Sequence, residues 1–398
     1  MNVKDESVLY KRSVSPESFV FLGGLAALFI LLGMRMGGTN LINTLIKTAY
    51  DILMSTVFYI MAIAVIMGAL SELLSEFGVV ALIHKVLSPL IKPIYGLPGA
   101  SALGIVSTYL SDNPAILTLA ESKNFRKYFA PYQVPALTNL GTAFGMGLIV
   151  TTFVISISAP VGENLFLAAL IGNLGAVIGS IVSTRIMLVF TKKAIGKQDD
   201  HQTEGQGFTE QGFAEPLTDM RRVRHGSAAS RFLEATLDGG KSGVTMGMTI
   251  IPGVLIICTF VLLLTNGAPS GGYTGAAYEG IGLLPMLGGK IQFIIKPLFG
   301  FQDPQCLAVP ITALGAAGAA MTLIPKLLAT GAAHAGDVAV FTAMCMCWSG
   351  YLSTHVAMME ALGYRRLTGK AIFSHTIGGL AAGISANYMF RLFTLAAG

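Results

Sequence analysis

The sequence predicts an all-α, polytopic membrane protein with two inverted-topology repeats, each containing a re-entrant or broken helix, plus an extra N-terminal transmembrane helix. Three observations lead to this prediction: an apolar composition, an internal repeat with a constant separation, and an alternation of basic and neutral connections between apolar runs. Together they describe a chain that passes through a lipid bilayer many times.

The composition sets the broad class of the protein. Of the 398 residues, 53% are hydrophobic and only 12% are charged, which is too little polar surface to cover a soluble globule. Several apolar runs reach the roughly 20 residues needed to cross about 30 Å of hydrocarbon. The net charge of +5 is small, and the cations lie in short connections, so no nucleic-acid partner is expected. All four cysteines lie inside apolar runs, so neither a metal site nor a cofactor is expected.

The N-terminal region predicts one helix outside the repeats. Residues 19–34 form an apolar run after a polar stretch, and no small-residue cleavage site follows before Arg35. We therefore expect a retained transmembrane helix rather than a signal peptide. The predicted domains are 1–38 for the tail and extra helix, 39–192 for the first repeat, 193–235 for a cytoplasmic linker and 236–398 for the second repeat.

A repeated phrase marks the two copies. Residues 91–96 read IKPIYG, and residues 295–300 read IKPLFG. A broken apolar segment follows each phrase, at 101–120 in the first copy and at 306–328 in the second. The interruptions, SDNP at 111–114 and GAAG at 315–318, keep the same separation of 204 residues. The chain is therefore predicted to contain two copies of one unit.

The charges of the connections predict opposite orientations for the copies. With a cytoplasmic N-terminus and re-entrant broken segments, the basic connections at 123–127, 192–231 and 365–370 fall inside. The neutral connections at 159–162, 267–284 and 331–337 then fall outside. Each copy contains three crossings and one hairpin, and an odd number of crossings inverts the second copy relative to the first.

Two motifs resemble a known family. Residues 108–114 (TYLSDNP) and 135–142 (PALTNLGT) are similar to segments of bacterial membrane proteins that carry the nucleoside-recognition "Gate" domain, and the resemblance covers roughly residues 40–395. The wider group is similar in pattern to concentrative nucleoside transporters, the membrane part of ferrous-iron permeases and spore-maturation membrane proteins. Membership implies a bacterial inner-membrane location and paired broken helices that meet at a central site. Because GAAG replaces SDNP in the second copy, such a site should be asymmetric, with the first copy supplying most of the ligands.

The interruptions and the polar helix faces supply the candidate site. Backbone that leaves helical geometry inside a membrane must be buried in protein or line water, and Pro114 forces such a break. The SDNP segment then fits either a substrate or coupling-cation site or an ordinary N-cap. Continuous helices are expected near 135–157 and 339–362. The predicted substrate-binding residues are Thr108, Ser111, Asp112, Asn113, Thr138, Asn139, Thr142, Thr312, Gly315, Gly318, Ser349 and Ser353.

Most of these residues also have a purely structural interpretation. Threonines in membrane helices commonly bond their own backbone, glycines allow close helix packing, and a polar stripe such as Thr138, Asn139 and Thr142 suits hydrogen bonds between helices. Proton or ion coupling is assigned to Asp112 and His355. Glu360 is either a relay partner for His355 or a residue at the membrane interface.

Two functions fit these patterns. The favoured hypothesis is a secondary-type transporter that moves a small polar solute, such as a nucleoside, an amino acid or another organic ion, by alternating access. The alternative is a non-transporting scaffold or a component of a multi-protein membrane assembly. No enzyme is expected, because no nucleotide loop or catalytic spacing is present. Expected partners are the lipid bilayer, the solute with a coupling cation, further copies in a homo-oligomer, and a soluble protein at residues 193–235.

Overall fold

A computed structural model describes residues 12–121, 123–158, 164–199 and 223–397. Within these ranges the chain is helical and contains no strand, which confirms the predicted all-α class. The predicted turn at 159–162 and most of the predicted linker, residues 200–222, lie outside the described residues.

The helices of the N-terminal half begin with α1, the predicted extra helix. They are α1 (Pro16–Met36), α2 (Gly38–Ile52), α3 (Phe58–Glu76), α4 (Val79–Tyr95), α5 (Ser101–Leu110), α6 (Pro114–Glu121), α7 (Lys123–Arg126), α8 (Ala136–Thr142), α9 (Gly147–Ser156) and α10 (Phe166–Asp199). A π-helical turn, Leu53–Val57, joins α2 and α3 into one long helix.

The C-terminal half repeats this order. Its helices are α11 (Ala228–Gly253), α12 (Thr259–Thr265), α13 (Leu283–Lys290), α14 (Gln292–Phe299), α15 (Ala308–Ala313), α16 (Ala317–Ala329), α17 (Ala335–Cys347), α18 (Tyr351–Ala361) and α19 (Thr368–Ala397). A second π-helical turn, Val254–Cys258, joins α11 and α12. The predicted linker is shortened at both ends, because α10 continues to Asp199 and α11 begins at Ala228.

Five helical stretches of the described chain are long and apolar enough to cross a membrane. They are Pro16–Met36, Gly38–Glu76, Ala136–Ser156, Phe166–Gly196 and Ala228–Thr265. The α1 helix is largely exposed, whereas the stretch Ala136–Ser156 is mostly buried by the rest of the protein. An exposed apolar helix is stable when lipid surrounds it, and the chain is a multi-pass membrane protein.

The repeated phrase has a local structural cause. Gly96 ends α4 and Gly300 ends α14, both with positive φ angles, 75° and 84°. Each glycine N–H bonds the carbonyl of the lysine four residues earlier, Lys92 or Lys296. This is the usual glycine termination of a helix. The phrase therefore closes the helix that precedes each broken segment. We call the broken segments the first hairpin (α5 and α6) and the second hairpin (α15 and α16), because the two helices of each pack against one another.

Glycines hold together a pair of long helices, one from each copy. A Cβ atom on Gly68 of α3 would overlap the carbonyl oxygen of Gly239 in α11, and a Cβ on Gly243 would overlap that of Ala64. Gly239, Gly243 and Gly247 follow one another at intervals of four residues, so they share one face of α11. The backbones of α3 and α11 are therefore in direct contact.

An ion-pair cluster fixes the C-terminal end of the predicted linker to α3. Arg224 pairs with Glu76 at 2.9 Å and with Glu72 at 2.7 Å, and Arg231 pairs with Glu76 at 2.6 Å. Glu76 is buried, so two arginines compensate a carboxylate that would otherwise be costly to bury. The end of the predicted linker is thereby anchored to the first repeat.

Candidate functional site

The first break brings residues of both copies into contact. Pro114 opens α6, and Asn113 lies at the turn between α5 and α6. The side-chain amide of Asn113 donates to the carbonyl oxygen of Ser349 at 2.6 Å. Its own Oδ1 is buried and has no hydrogen-bond partner among the described residues. Gly145 touches this side chain, because a Cβ there would overlap Oδ1.

The expectation of continuous helices near 135–157 and 339–362 is wrong. The first helix is interrupted between α8 and α9, and the second between α17 and α18. Met146 and Gly350 occupy these interruptions with left-handed φ angles of 56° and 63°, and they are 204 residues apart. Each copy therefore contains two broken segments, and the second break obeys the same repeat as the first.

The second hairpin meets the broken helix of its own copy. The N–H of Gly350 donates to the carbonyl of Ala313 at 3.1 Å. On the other side, a Cβ at Gly315 would lie 2.8 Å from the side chain of Ile257, and one at Gly318 would lie 3.1 Å from that of Ile250. The two glycines pack against the helix formed by α11, its π turn and α12. The turn of the second hairpin, GAAG, therefore carries no polar side chain, whereas the turn of the first, SDNP, does.

A polar cavity of about 550 Å³ opens beside the first hairpin. Its polar lining comes from three elements: Ser111, Asp112 and Thr118 of the hairpin, Ser242, Thr245 and Thr249 of α11, and Ser71 and Glu72 of α3. Asp112 is half-buried, and its Oδ1 accepts from the N–H of Asn113 at 2.7 Å. Of the two carboxylates, Glu72 is paired with Arg224, so Asp112 and the hydroxyls are the groups suited to a cation or to a solute rich in hydrogen-bonding groups.

Most of the predicted hydroxyl groups donate to their own backbone. The acceptors are Gly104 O for Thr108, Ser107 O for Ser111, Pro135 O for Thr138, Thr138 O for Thr142, Ala308 O for Thr312 and Gly350 O for Ser353. Of these six residues, Ser111 lines the polar cavity, while the four threonines are fully buried. A hydroxyl that donates to its helix can still accept a hydrogen bond from another group.

A buried network links Asn139 to the second broken helix. The amide of Asn139 donates to Ser183 Oγ at 3.0 Å, and Ser183 bonds His375 Nδ1 at 2.8 Å. His375 Nε2 bonds the carbonyl of Cys347, the last residue of α17. Because a carbonyl only accepts, Nε2 carries the proton, and the Ser183 hydroxyl donates to Nδ1. The network thereby satisfies a carbonyl that the break leaves free.

His355 lies beside this network rather than beside Glu360. The ring centroids of His355 and His375 are 4.7 Å apart. His355 Nδ1 donates to the carbonyl of Tyr351 at 3.0 Å, and its buried Nε2 has no partner in the part of the chain that the structure describes. Glu360 pairs with Arg365 at 3.2 Å, so the proposed relay between His355 and Glu360 is not formed.

A second cavity, of about 560 Å³, lies beside the second hairpin. Its lining includes Ser55 and Tyr59 from the first copy and Tyr278 and Lys326 from the second. The sequence reasoning missed this cavity, and it also missed Ser183. A lysine inside the apolar segment 306–328 was the available signal for the cavity.

The comparisons with known proteins find structural neighbours only. No family model and no curated protein matches the chain, so the Gate resemblance has no support of that kind. Among solved structures, a double variant of CNTnw, a concentrative nucleoside transporter, in an outward-facing state is 14% identical, with a TM-score of 0.51. The match covers 95% of this chain and 88% of that chain. The two chains share a fold.

Two further states of CNTnw match with lower scores. The second intermediate of a single variant is 13% identical with a TM-score of 0.48, covering 94% of this chain and 86% of that chain. An inward-facing, substrate-bound state is 12% identical with a TM-score of 0.46, covering 95% and 87%. The outward-facing structure is therefore the one of these three that supports a shared fold.

Proposed function

We propose that this protein is a secondary-type transporter that moves a small polar solute across the membrane by alternating access. The observation that carries the proposal is the hydrogen bond from Asn113 to the carbonyl of Ser349, which joins the first hairpin to the second broken helix. Breaks in membrane helices free backbone groups that can bind a solute or an ion. The fold shared with CNTnw, solved in an outward-facing state, supports the same function.

The two cavities suit such a mechanism. The cavity at Asp112 lies between the first hairpin and the Gly239–Ile250 part of α11, whereas the cavity at Lys326 lies between the second hairpin and the π turn that begins at Leu53. In the proposed topology they face the cytoplasm and the exterior respectively. A solute enters one cavity, contacts the meeting point of the hairpins and leaves through the other when the hairpins move.

The predicted site residues have distinct roles in this proposal. Asp112 holds a coupling cation or the polar part of the solute, and Asn113 contacts the solute through its free Oδ1. His355, with an unpartnered Nε2, accepts a proton if coupling is to protons. Ser111 lines the cavity beside Asp112, and the other predicted residues support the two hairpins and the broken helices around these contacts: Thr108, Thr138, Asn139, Thr142, Thr312, Gly315, Gly318, Ser349 and Ser353.

An uptake screen tests the function. Purified protein in liposomes is offered nucleosides, amino acids and organic anions, with and without inward sodium or proton gradients. We expect saturable uptake of one class, and we expect Asn113→Ala to reduce it by about tenfold or more, because a buried hydrogen bond is lost at the site. Ser156→Ala, which only removes a bond to the backbone of its own segment, is the control. No saturable flux for any class under any gradient would overturn the proposal.

Orientation, location and assembly belong to the same proposal. We place the protein in a bacterial inner membrane with a cytoplasmic N-terminus, as a homo-oligomer, with the linker available to a soluble partner. Single cysteines at Gly267 and Gln198, in a background without the four native cysteines, test the orientation. A membrane-impermeant reagent added to intact cells should label position 267 and spare position 198. The opposite result would reverse the topology.

A further inference from the structure

Lys326 is a cation in the wall of the second cavity. It lies in α16, the second arm of the second hairpin, and it is half-buried. Among the described residues, its ammonium group makes no hydrogen bond and no ion pair. It lies over the ring of Tyr278, with Nζ 3.6 Å from the ring centroid. A lysine ammonium has three donors, and withdrawing them from water without acceptors is unfavourable.

The cavity around Lys326 has the size and lining of a ligand site. Its volume of about 560 Å³ is within the range found for sites of small organic molecules. Hydroxyl groups of Ser55, Thr56 and Thr322 lie on its wall. The larger part of the wall is apolar and is formed by Tyr59, Phe153, Ile157, Leu262, Leu323 and Pro325. One cation and a mainly apolar wall suit an acid with a single charge and an apolar body.

Tyr278 is held in an unfavourable backbone conformation beside this cation. Its φ angle is 66°, which residues other than glycine rarely adopt. The backbone N–H of Tyr278 donates to Thr48 at 2.8 Å, and its hydroxyl donates to Asp51 at 2.5 Å. These two bonds fix the ring against Lys326. Backbone strain of this kind is concentrated at functional sites.

Asp51 interacts with Lys326 electrostatically, but it does not contact the ammonium group directly. It forms no ion pair with Lys326 in the described part of the chain, and one of its oxygens is already bound by the Tyr278 hydroxyl. Ser55 donates to the carbonyl of Asp51, Thr322 donates to that of Ala319, and Thr56 donates to Ser55 Oγ at 3.3 Å, so all three hydroxyl protons are committed. The ammonium of Lys326 is therefore the charged donor of the cavity without a hydrogen-bond acceptor among the described residues, and an anionic group is the matching ligand.

We propose that this cavity binds a carboxylate attached to an apolar body, with the carboxylate on Lys326 and the body against Tyr59, Phe153 and Leu262. The ligand is either a free organic acid or a fatty acid from the bilayer, since both present this chemistry. The site is separate from the polar cavity at Asp112, and the inference requires binding only, whether or not the ligand is transported.

Equilibrium dialysis of the detergent-purified full-length protein tests this site. The probes are phenylacetate, its neutral counterpart phenylacetamide, and oleate. We expect saturable binding of phenylacetate or oleate, whichever is the source, and about tenfold weaker binding of phenylacetamide. Saturable binding of neither acid would overturn the proposal, as would, where phenylacetate binds, an equal affinity for phenylacetamide. Comparing the two acids then identifies a free acid or a bilayer lipid as the ligand.

Three variants locate the binding. Lys326→Met keeps the apolar stem and should weaken binding of the acid about tenfold, whereas Lys326→Arg keeps the charge and should stay within about threefold of the wild type. Lys296→Met removes an exposed lysine of the same copy and should change nothing. If Lys326→Met binds the acid as tightly as the wild type, the assignment is wrong. The Arg variant and the wild-type probe comparison remain informative if the Met variant does not fold.

Discussion

The side-chain amide of Asn113 donates to the carbonyl oxygen of Ser349 across 2.6 Å, and this bond joins the first hairpin to the break in the second copy. Both residues belong to interruptions in helices, where backbone groups have no partner within the helix. The other polar atom of the amide, Oδ1, is buried without a partner among the described residues. The Asn113 amide therefore uses its donor but not its acceptor, which suits a side chain that exchanges a hydrogen bond to the protein for one to a solute.

Replacement of Asn113 by alanine should destabilise the protein by about 1–3 kcal/mol, because a buried hydrogen bond is lost and the Ser349 carbonyl is left without a donor. Thermal unfolding of the detergent-solubilised protein measures the change. Ser111→Ala is the matched control in the same turn, since its hydroxyl bonds only the carbonyl of Ser107 in its own segment. Equal unfolding temperatures for Asn113→Ala and the wild type would show that the contact is not made.

Replacement of Gly243 by alanine should separate α3 from α11. The added Cβ would overlap the carbonyl of Ala64, so the expected cost is about 1–3 kcal/mol of overpacking. Gly240→Ala is the control, because its Cβ would meet only a side-chain atom of Val65 at 3.7 Å, an ordinary contact. Alanine also favours the helix over glycine. Circular dichroism melts should therefore rank Gly243→Ala below Gly240→Ala, and the reverse order would contradict the backbone contact.

Replacement of Gly350 by alanine tests whether the second break depends only on the φ angle of this residue or also on its close contact with Gly315. Alanine there has to adopt a left-handed φ of 63°, at a cost of about 1–2 kcal/mol, and its Cβ would lie 3.1 Å from the carbonyl of Gly315. Gly363 has a left-handed φ of 83° but open space around it. Thermal unfolding should show a larger loss for Gly350→Ala than for Gly363→Ala. Equal losses would mean that only backbone strain matters.

The bond between Ser183 and His375 should appear as an energetic coupling. We expect a double-mutant cycle of Ser183→Ala and His375→Phe, followed by chemical unfolding, to give an interaction of about 1 kcal/mol. The cycle of Ser183→Ala with Thr394→Ala is the control. Thr394 is on the same helix as His375, about 28 Å further along by helix geometry. The free-energy effects of Ser183→Ala and Thr394→Ala should therefore be additive. A coupling no larger than that of the control would argue against the network.

Acid should weaken the loop that precedes α13 through Glu279. Burial alone raises the pKa of this carboxyl, but bonds from the hydroxyl and N–H of Thr274 and from the N–H of Gly275 hold its pKa below the ordinary value of 4.5. A lowered pKa contributes stability that is complete above the unfolded pKa and is lost as the pH falls through the folded pKa.

The corresponding measurement compares unfolding temperatures of the wild type and Glu279→Gln between about pH 7 and pH 3. The difference between the two proteins should be largest near neutral pH and should shrink below the ordinary carboxyl pKa, because both side chains are then uncharged. Thr330→Ala, whose hydroxyl bonds only its own helix, should keep a constant difference from the wild type. A pH-independent difference for Glu279→Gln would show that the charge of Glu279 does not contribute to stability.

The repeat and the hairpins could be predicted from sequence because local chemistry specifies them. Pro114 lacks the N–H that a continuing helix requires, and Gly96 and Gly300 allow the positive φ that ends a helix. These effects act within a few residues of the side chain that causes them. They are therefore visible in the order of residues alone.

The second pair of breaks escaped prediction because its cause is tertiary. Methionine has no preference for a left-handed φ, and Met146 adopts one between two glycines that face other parts of the protein. A Cβ on Gly145 would overlap Asn113, and one on Gly147 would overlap the ring of Tyr109. Only the equivalence with Gly350 at the same separation of 204 residues offered a signal. No pattern in the sequence indicated that Asn139, Ser183 and His375, which lie on three different helices, would come together.

The contact between Gly68 and Gly239 also bears on how the protein can move. Helices that slide past one another rely on side chains that change rotamer at their interface. At Gly68, Gly239 and Gly243 the carbonyl oxygens of one helix lie against the glycine backbone of the other, so no side chain separates the helices there. We therefore expect the two long helices to move as one rigid body. Any exchange between the two sides of the membrane then has to come from the hairpins and broken helices, which shift against this fixed pair.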